Sequence, residues 1–129
     1  MAKFLSELDI KLKTDSDTVY VLQFPLLYES DILGLIDVPV GFETDFASVP
    51  RIPFIYAMWG GKAHREAVLH DYLYRSDSKP LATYSQANGV FFEAMEVRGK
   101  KRVVRYPMWW GVVLGGWTSY HKKNVDDKL

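Results

Sequence analysis

The spacing of apolar residues changes about halfway along the chain, and this change constrains the fold class most. Up to about residue 45, polar and apolar side chains alternate, as in 7–13, or β-branched and aromatic residues follow one another, as in 18–24. Beyond residue 60, apolar residues recur three and four apart, most clearly over 84–97. Segregated strands and helices predict an α+β fold, in which a small antiparallel sheet from the N-terminal half packs against two or three helices.

Turn and cap residues give approximate bounds for these elements. Strands are predicted at 7–13, 18–24, 26–29 and 35–40, and helices at 48–51, 62–74, 84–97 and 106–120. Gly99 is expected to end the helix over 84–97. A chain of 129 residues is predicted to form a single domain over 1–129. Its polar tail, at about 121–129, is expected to be frayed or ordered by a partner.

Charge and composition exclude several classes of protein. Sixteen basic and sixteen acidic residues give no net charge, which argues against nucleic acid as a partner. The chain has no cysteine, so it has no disulfide and no thiolate nucleophile. Its first residues lack the apolar stretch of a signal peptide. The apolar run 108–117 is about half the roughly 20 residues that cross a bilayer, so no membrane span is expected.

Aromatic residues are unusually frequent, at 15% of the chain. They fill cores and dominate interfaces, so they indicate a core of large residues, a protein partner, or both. In the helix over 106–120, Trp110 points about a quarter-turn away from the stripe that includes Trp117, and small residues such as Gly115 would allow close approach. We therefore predict that Trp110, Gly115 and Trp117 contact another protein or a second copy of the chain.

Two segments, 38–51 and 64–75, are dense in residues that perform chemistry. On a helix, His64 and Asp71 share one stripe, and Glu66 and His70 share the neighbouring stripe. His70, Asp71 and Asp45 are candidates for a divalent-metal site, and the same groups are candidates for an acid–base pair.

A structural explanation of these polar residues is open at this point. A buried histidine–carboxylate pair commonly ties a helix to a loop, and Ser48 or Asp45 can simply cap a helix. If the two polar clusters are buried, each needs the other as a partner. We therefore predict that Asp45, Ser48, His70 and Asp71 lie together.

The motifs Thr44-Asp45-Phe46-Ala47-Ser48-Val49-Pro50 and Leu69-His70-Asp71-Tyr72-Leu73-Tyr74 resemble those of an uncharacterised family of small phage and bacterial proteins, domain of unknown function 1353. The resemblance covers roughly residues 18–120. It implies a phage or prophage setting and no established activity. The family's polar positions fall on Asp45, Ser48, His70 and Asp71. Asn88 stands where the family usually carries an aspartate, and its neutral amide would be a poorer metal ligand.

Three functions follow as expectations, and the first two in order of preference are an assembly protein and a hydrolase. The first is a virion-associated structural or assembly protein of the tail, baseplate or neck, found in the virion or in the host cytoplasm during assembly. It would need no cofactor, and its partners would be other phage structural proteins and further copies of itself. A third and weaker reading is a small intracellular protein that blocks a host factor.

The alternative is a hydrolase acting on host peptidoglycan. Its catalytic residues would be Asp45, His70 and Asp71, and a divalent metal would enter only under this alternative. Further side chains would assist, namely Ser48, Glu66 and His64.

Overall fold

The structure is a computed structural model, and it describes residues 2–17, 19–44, 64–115 and 120–128. Strands come first in the described chain and helices follow, which confirms the predicted α+β class. The strands are β1 (Lys3–Phe4), β2 (Ile10–Leu12), β3 (Tyr20–Leu22), β4 (Leu26–Ser30), β5 (Gly34–Val38) and β6 (Glu43–Thr44). The helices are α1 (His64–Leu73), α2 (Tyr84–Val97) and α3 (Arg102–Gly115).

The six strands form two small antiparallel sheets where the sequence predicted one. Their orders are β1-β4-β5 and β2-β3-β6. The β4–β5 hairpin shows the expected alternation, because the directly paired residues Tyr28 and Ile36 are both fully buried. The Tyr28 hydroxyl donates to Glu93 Oε1 of α2 at 2.7 Å, which ties this sheet to the helical layer.

Helix α2 has the predicted bounds, and local signals explain both ends. The Thr83 hydroxyl accepts from the Gln86 amide, and the Gln86 side chain accepts from the Thr83 amide. At the other end Gly99 adopts a φ of +77°, and the Lys100 amide donates to the Met95 carbonyl at 3.0 Å. This Schellman-type ending needs a left-handed residue after the helix, which glycine adopts without strain.

Helix α3 differs from the prediction at both ends. It begins at Arg102 rather than at 106, and Tyr120 lies in a turn beyond it. The predicted start was therefore four residues too late. Here Pro107 lies inside the helix, which is held against α2 by the fully buried side chains of Met108 and Val112. The helix predicted at 48–51 lies outside the described residues.

The polar tail contacts the chain's own loop after α1. The Ser76 amide donates to the Lys123 carbonyl at 2.8 Å, and the Val125 amide donates to Asp77 Oδ1 at 2.7 Å. The half-buried Val125 packs against the core. Hydrogen bonds within the chain therefore hold the tail at these residues, where the sequence led us to expect fraying or ordering by a partner.

Candidate functional site

Helix α1 carries the predicted site residues and is buried on every side. Residues 66–75 are all buried, although they include Glu66, His70, Asp71 and Arg75. A polar side chain in such surroundings destabilises the fold unless a partner satisfies it. The partners of these four side chains therefore show what the segment does.

His70 is fully buried and is held by helix α2. Its Nε2 lies 2.8 Å from Asn88 Oδ1, and the same oxygen accepts the Tyr74 hydroxyl at 2.6 Å. An amide oxygen can only accept, so His70 Nε2 carries the proton. Burial lowers the pKa of His70 from 6.5 to about 4, although the bond to Asn88 opposes the shift. The imidazole is therefore neutral at pH 7, and its ring packs on Phe91 at 4.9 Å.

Asp71 joins α1 to β6. Its Oδ2 accepts a hydrogen bond from the Thr44 hydroxyl and lies 3.9 Å from the Arg75 guanidinium. Arg75 in turn donates to the Glu43 carbonyl at 3.1 Å and lies over the Phe42 ring at 5.0 Å. These bonds attach the strand immediately before the Asp45 motif to the helix that carries His70.

Glu66 forms no hydrogen bond with His70, although the two residues share a stripe of the helix. His70 is turned toward Asn88, whereas Glu66 lies 3.8 Å from the Arg98 guanidinium at the end of α2. Neither carboxylate oxygen accepts a hydrogen bond from a described residue. Burial raises the pKa of Glu66 above its ordinary value, although Lys100, Arg98 and Arg65 oppose the shift.

Several predicted site residues lie outside the described part of the chain. They are Asp45, Ser48, Trp117 and the side chain of His64. The predicted approach of Asp45 and Ser48 to His70 and Asp71 therefore stays a prediction. Within the described ranges, no three histidine, aspartate or glutamate side chains are grouped so as to hold a metal ion.

The structure adds residues that sequence reasoning did not place in the site, and it shows Asn88, considered there as a weak metal ligand, as a hydrogen-bond partner. Thr44, Tyr74 and Arg75 join the network, and Asn88 bridges two of its members. Two sequence signals, besides the family resemblance for Asn88, point to Asn88 and Tyr74. Asn88 is a polar residue on the apolar face of α2, and Tyr74 lies one helical turn after His70.

Helix α1 buries polar side chains, whereas the outer face of α3 exposes apolar ones. Four large apolar side chains recur there at spacings of three and four and stay exposed: Val103 at 61%, Tyr106 at 50%, Trp110 at 52% and Leu114 at 68%. We call these four residues the α3 stripe. Trp109, next to Trp110, is half-buried and packs edge-on against Phe92. The exposure of Trp110 agrees with the orientation predicted for it, and Gly115 is the last residue of the helix.

The family model described as "Protein of unknown function (DUF1353)" matches residues 20–112, more than half of the chain. The chain therefore belongs to this family, as its motifs indicated. No curated protein and no solved structure shows a significant match. In the part of the chain that the structure describes, no helix is both long and apolar enough to cross a membrane.

Proposed function

We propose that the protein is a structural or assembly component of a phage particle, in its tail, baseplate or neck, and that it acts by binding other proteins. The observation that carries the proposal is the α3 stripe. The phage setting is what the resemblance of its motifs implies.

The α3 stripe is typical of an interface. Scattered exposed apolar residues are ordinary, whereas a contiguous row on one helix face marks an interaction site. Its central Trp110 belongs to the residue types that anchor interfaces, where truncation weakens binding by about 2 kcal/mol or more. Met108 and Val112 on the opposite side of α3 are fully buried, so the helix already has its core face and presents a second apolar face.

The buried network supports a structural role for the residues that suggested an enzyme. A hydrolytic base must reach a substrate or an attacking water molecule. His70 is fully buried, and its Nε2 proton is donated to Asn88. Asp71 is bound to Thr44 and lies beside Arg75. These contacts fasten α1 to α2 and to β6, which is the work of a structural core rather than of a cleft.

The test is incorporation of the Trp110→Ala variant into particles of a phage or prophage that encodes the chain. We expect purified particles to contain little of the variant, although it folds normally. Phe24→Ala is the matched control, because Phe24 is also a large exposed aromatic residue, at 63%, and lies outside the α3 stripe. Normal incorporation of Trp110→Ala, with normal infectivity, would contradict the proposal.

A second assay addresses the hydrolase alternative. Purified wild-type protein, with and without added Zn²⁺ or Mg²⁺, is mixed with a peptidoglycan suspension and turbidity is followed. We expect no clearing. Clearing by wild type that is lost in a folded His70→Gln variant would instead establish the enzyme.

A further inference from the structure

We propose that the α3 stripe of one copy docks into an acidic groove on a second copy of this chain, so that copies associate head to tail. This inference rests on the proposed assembly role and names one partner for the α3 stripe. It follows from a second surface elsewhere in the same molecule that is also apolar and carries the opposite charge.

The groove lies between the β4–β5 hairpin, the loop after α1 and the tail. Its cavity volume is about 710 Å³, which is enough to receive large side chains. Its walls are largely apolar and include Leu35 and Val40, which are 58% and 59% exposed. The Tyr72 ring also lines it, and the Tyr72 hydroxyl is already bonded to the Lys79 backbone. We call this cavity the acidic groove, for the charges described next.

Three carboxylates and one ammonium group line the acidic groove. Asp37, Asp77 and Asp126 are exposed, and no described cation forms an ion pair with any of them. Lys79 is the cation among the described lining residues. Burial raises the pKa of Tyr72 most, and the charges of Asp37 and Asp77 raise it further. Both carboxylates therefore act on the same side chain in the groove. The groove thus holds an excess of negative charge beside exposed apolar walls.

The α3 stripe begins at a concentration of positive charge. Lys101 and Arg102 are exposed at the start of α3, and no described carboxylate pairs with either. The first turn of α3 contains no acidic residue. A helix N-terminus already carries partial positive charge, so cations there are unfavourable within the isolated chain. Carboxylates from a partner would relieve this repulsion.

The α3 stripe and the acidic groove complement one another in apolar character and in charge. Trp110 and its apolar neighbours match the walls formed by Leu35, Val40 and the prolines, while Lys101 and Arg102 match the three aspartates. The two surfaces share no residue, so each copy presents one of each. A contact between two different surfaces is heterologous, and its repetition builds a ring or an open chain. Such geometry suits a repeated component of a particle.

Sedimentation equilibrium of purified full-length protein over a concentration series tests the inference. One variant, Trp110→Ala, removes the anchor of the α3 stripe. A second, Asp37→Lys with Asp126→Lys, reverses charge in the acidic groove, and Asp17→Lys is the matched control in the β2–β3 turn. Circular dichroism establishes that each variant is folded.

We expect wild type and the Asp17→Lys control to grow beyond a dimer as concentration rises. Each blocked variant should associate at least about 30-fold more weakly, the change expected when a central anchor is lost. An equimolar mixture of the two should form a one-to-one dimer and stop there, because each variant keeps the one surface that the other lacks.

Three outcomes would overturn the inference. A monomeric wild type excludes self-association. The assembly role would then still be tested by particle incorporation of Trp110→Ala, because the α3 stripe would bind another particle protein instead. If the groove variant associates like wild type, the stripe pairs with something other than the acidic groove. If the mixture stays monomeric, the two surfaces do not bind each other.

Discussion

Helices α1 and α3 break the usual rule of burial in opposite directions. Helix α1 is polar in sequence yet buried all round, with Glu66, His70 and Asp71 inside the protein. Helix α3 is apolar in sequence yet leaves Tyr106, Trp110 and Leu114 half or more exposed. Buried polar groups and exposed apolar rows are the informative departures in a globular protein. In this chain they separate the residues that hold the fold together from those that we propose meet a partner.

The largest effect on stability is expected for Asp71→Ala, because this change breaks a buried charge pair. It leaves Arg75, whose side chain is 6% exposed, without the carboxylate at 3.9 Å, and it removes the acceptor of Thr44. We expect the free energy of unfolding, measured by urea denaturation, to fall by about 3–5 kcal/mol. Asp71→Asn keeps an acceptor for Thr44 and should lose less. A loss below about 1 kcal/mol would show that Asp71 contributes no more to stability than an ordinary surface charge does.

The next effect is a loss of stability in acid that depends on His70. Its pKa is about 4 in the folded protein and 6.5 when unfolded. Between these values the unfolded chain binds a proton that the folded protein excludes, so stability falls as pH falls. The loss attributable to His70 is about 3 kcal/mol from pH 6.5 to pH 4 and is absent above this range. His70→Gln should remove that part of the pH dependence, and an unchanged curve would show that His70 titrates normally.

A smaller effect of opposite sign is expected for Glu66→Gln. The raised pKa means that the folded protein disfavours the charged carboxylate, and this unfavourable contribution appears as pH rises through that pKa. The change in the free energy of unfolding caused by Glu66→Gln should therefore be more favourable at pH 7 than at pH 4. Destabilisation at pH 7 would instead show that the contact with Arg98 outweighs burial.

The smallest effect on stability is expected for Trp110→Ala, even though it should disrupt association. About half of the side chain is exposed, so the free energy of unfolding of the dissociated protein should change by no more than about 0.5 kcal/mol. Trp109→Ala is the internal comparison. Trp109 is less exposed than Trp110 and packs edge-on against Phe92, so its truncation should lower the free energy of unfolding more. Equal losses in the two variants would remove the distinction between the faces of α3.

Local signals could be read from the sequence, and long-range ones could not. Helix α2 was predicted with its observed bounds because its apolar spacing and the glycine after its end, Gly99, are both local signals. Strands β1 and β6 were missed, since two-residue strands carry no periodicity and are defined by pairing with distant β4 and β3. The start of α3 was placed four residues too late, because the apolar residues that marked this helix begin only at Met108.

The candidate site likewise contains residues that local signals revealed and partners that only long-range packing brings near. His70 and Asp71 stood out because of their residue types and helical spacing. Their partners Asn88 and Thr44 lie 18 and 27 residues away in sequence, and only the packing of α2 and β6 brings them together. Spacing alone suggested that Glu66 faced His70, but spacing does not determine which neighbouring element each side chain meets.

The thermal stability of the His70→Ala variant, measured beside the infectivity of particles that carry it, tests most directly whether α1 is structural. Truncation leaves Asn88 and its neighbours without a buried partner, which corresponds to a loss of about 1–3 kcal/mol. For a chain of this size we expect the melting temperature to fall by several degrees. We also expect infectivity below that melting temperature to follow the folded fraction. An unchanged melting temperature together with lost infectivity or lysis would contradict the structural role and favour the catalytic alternative for His70.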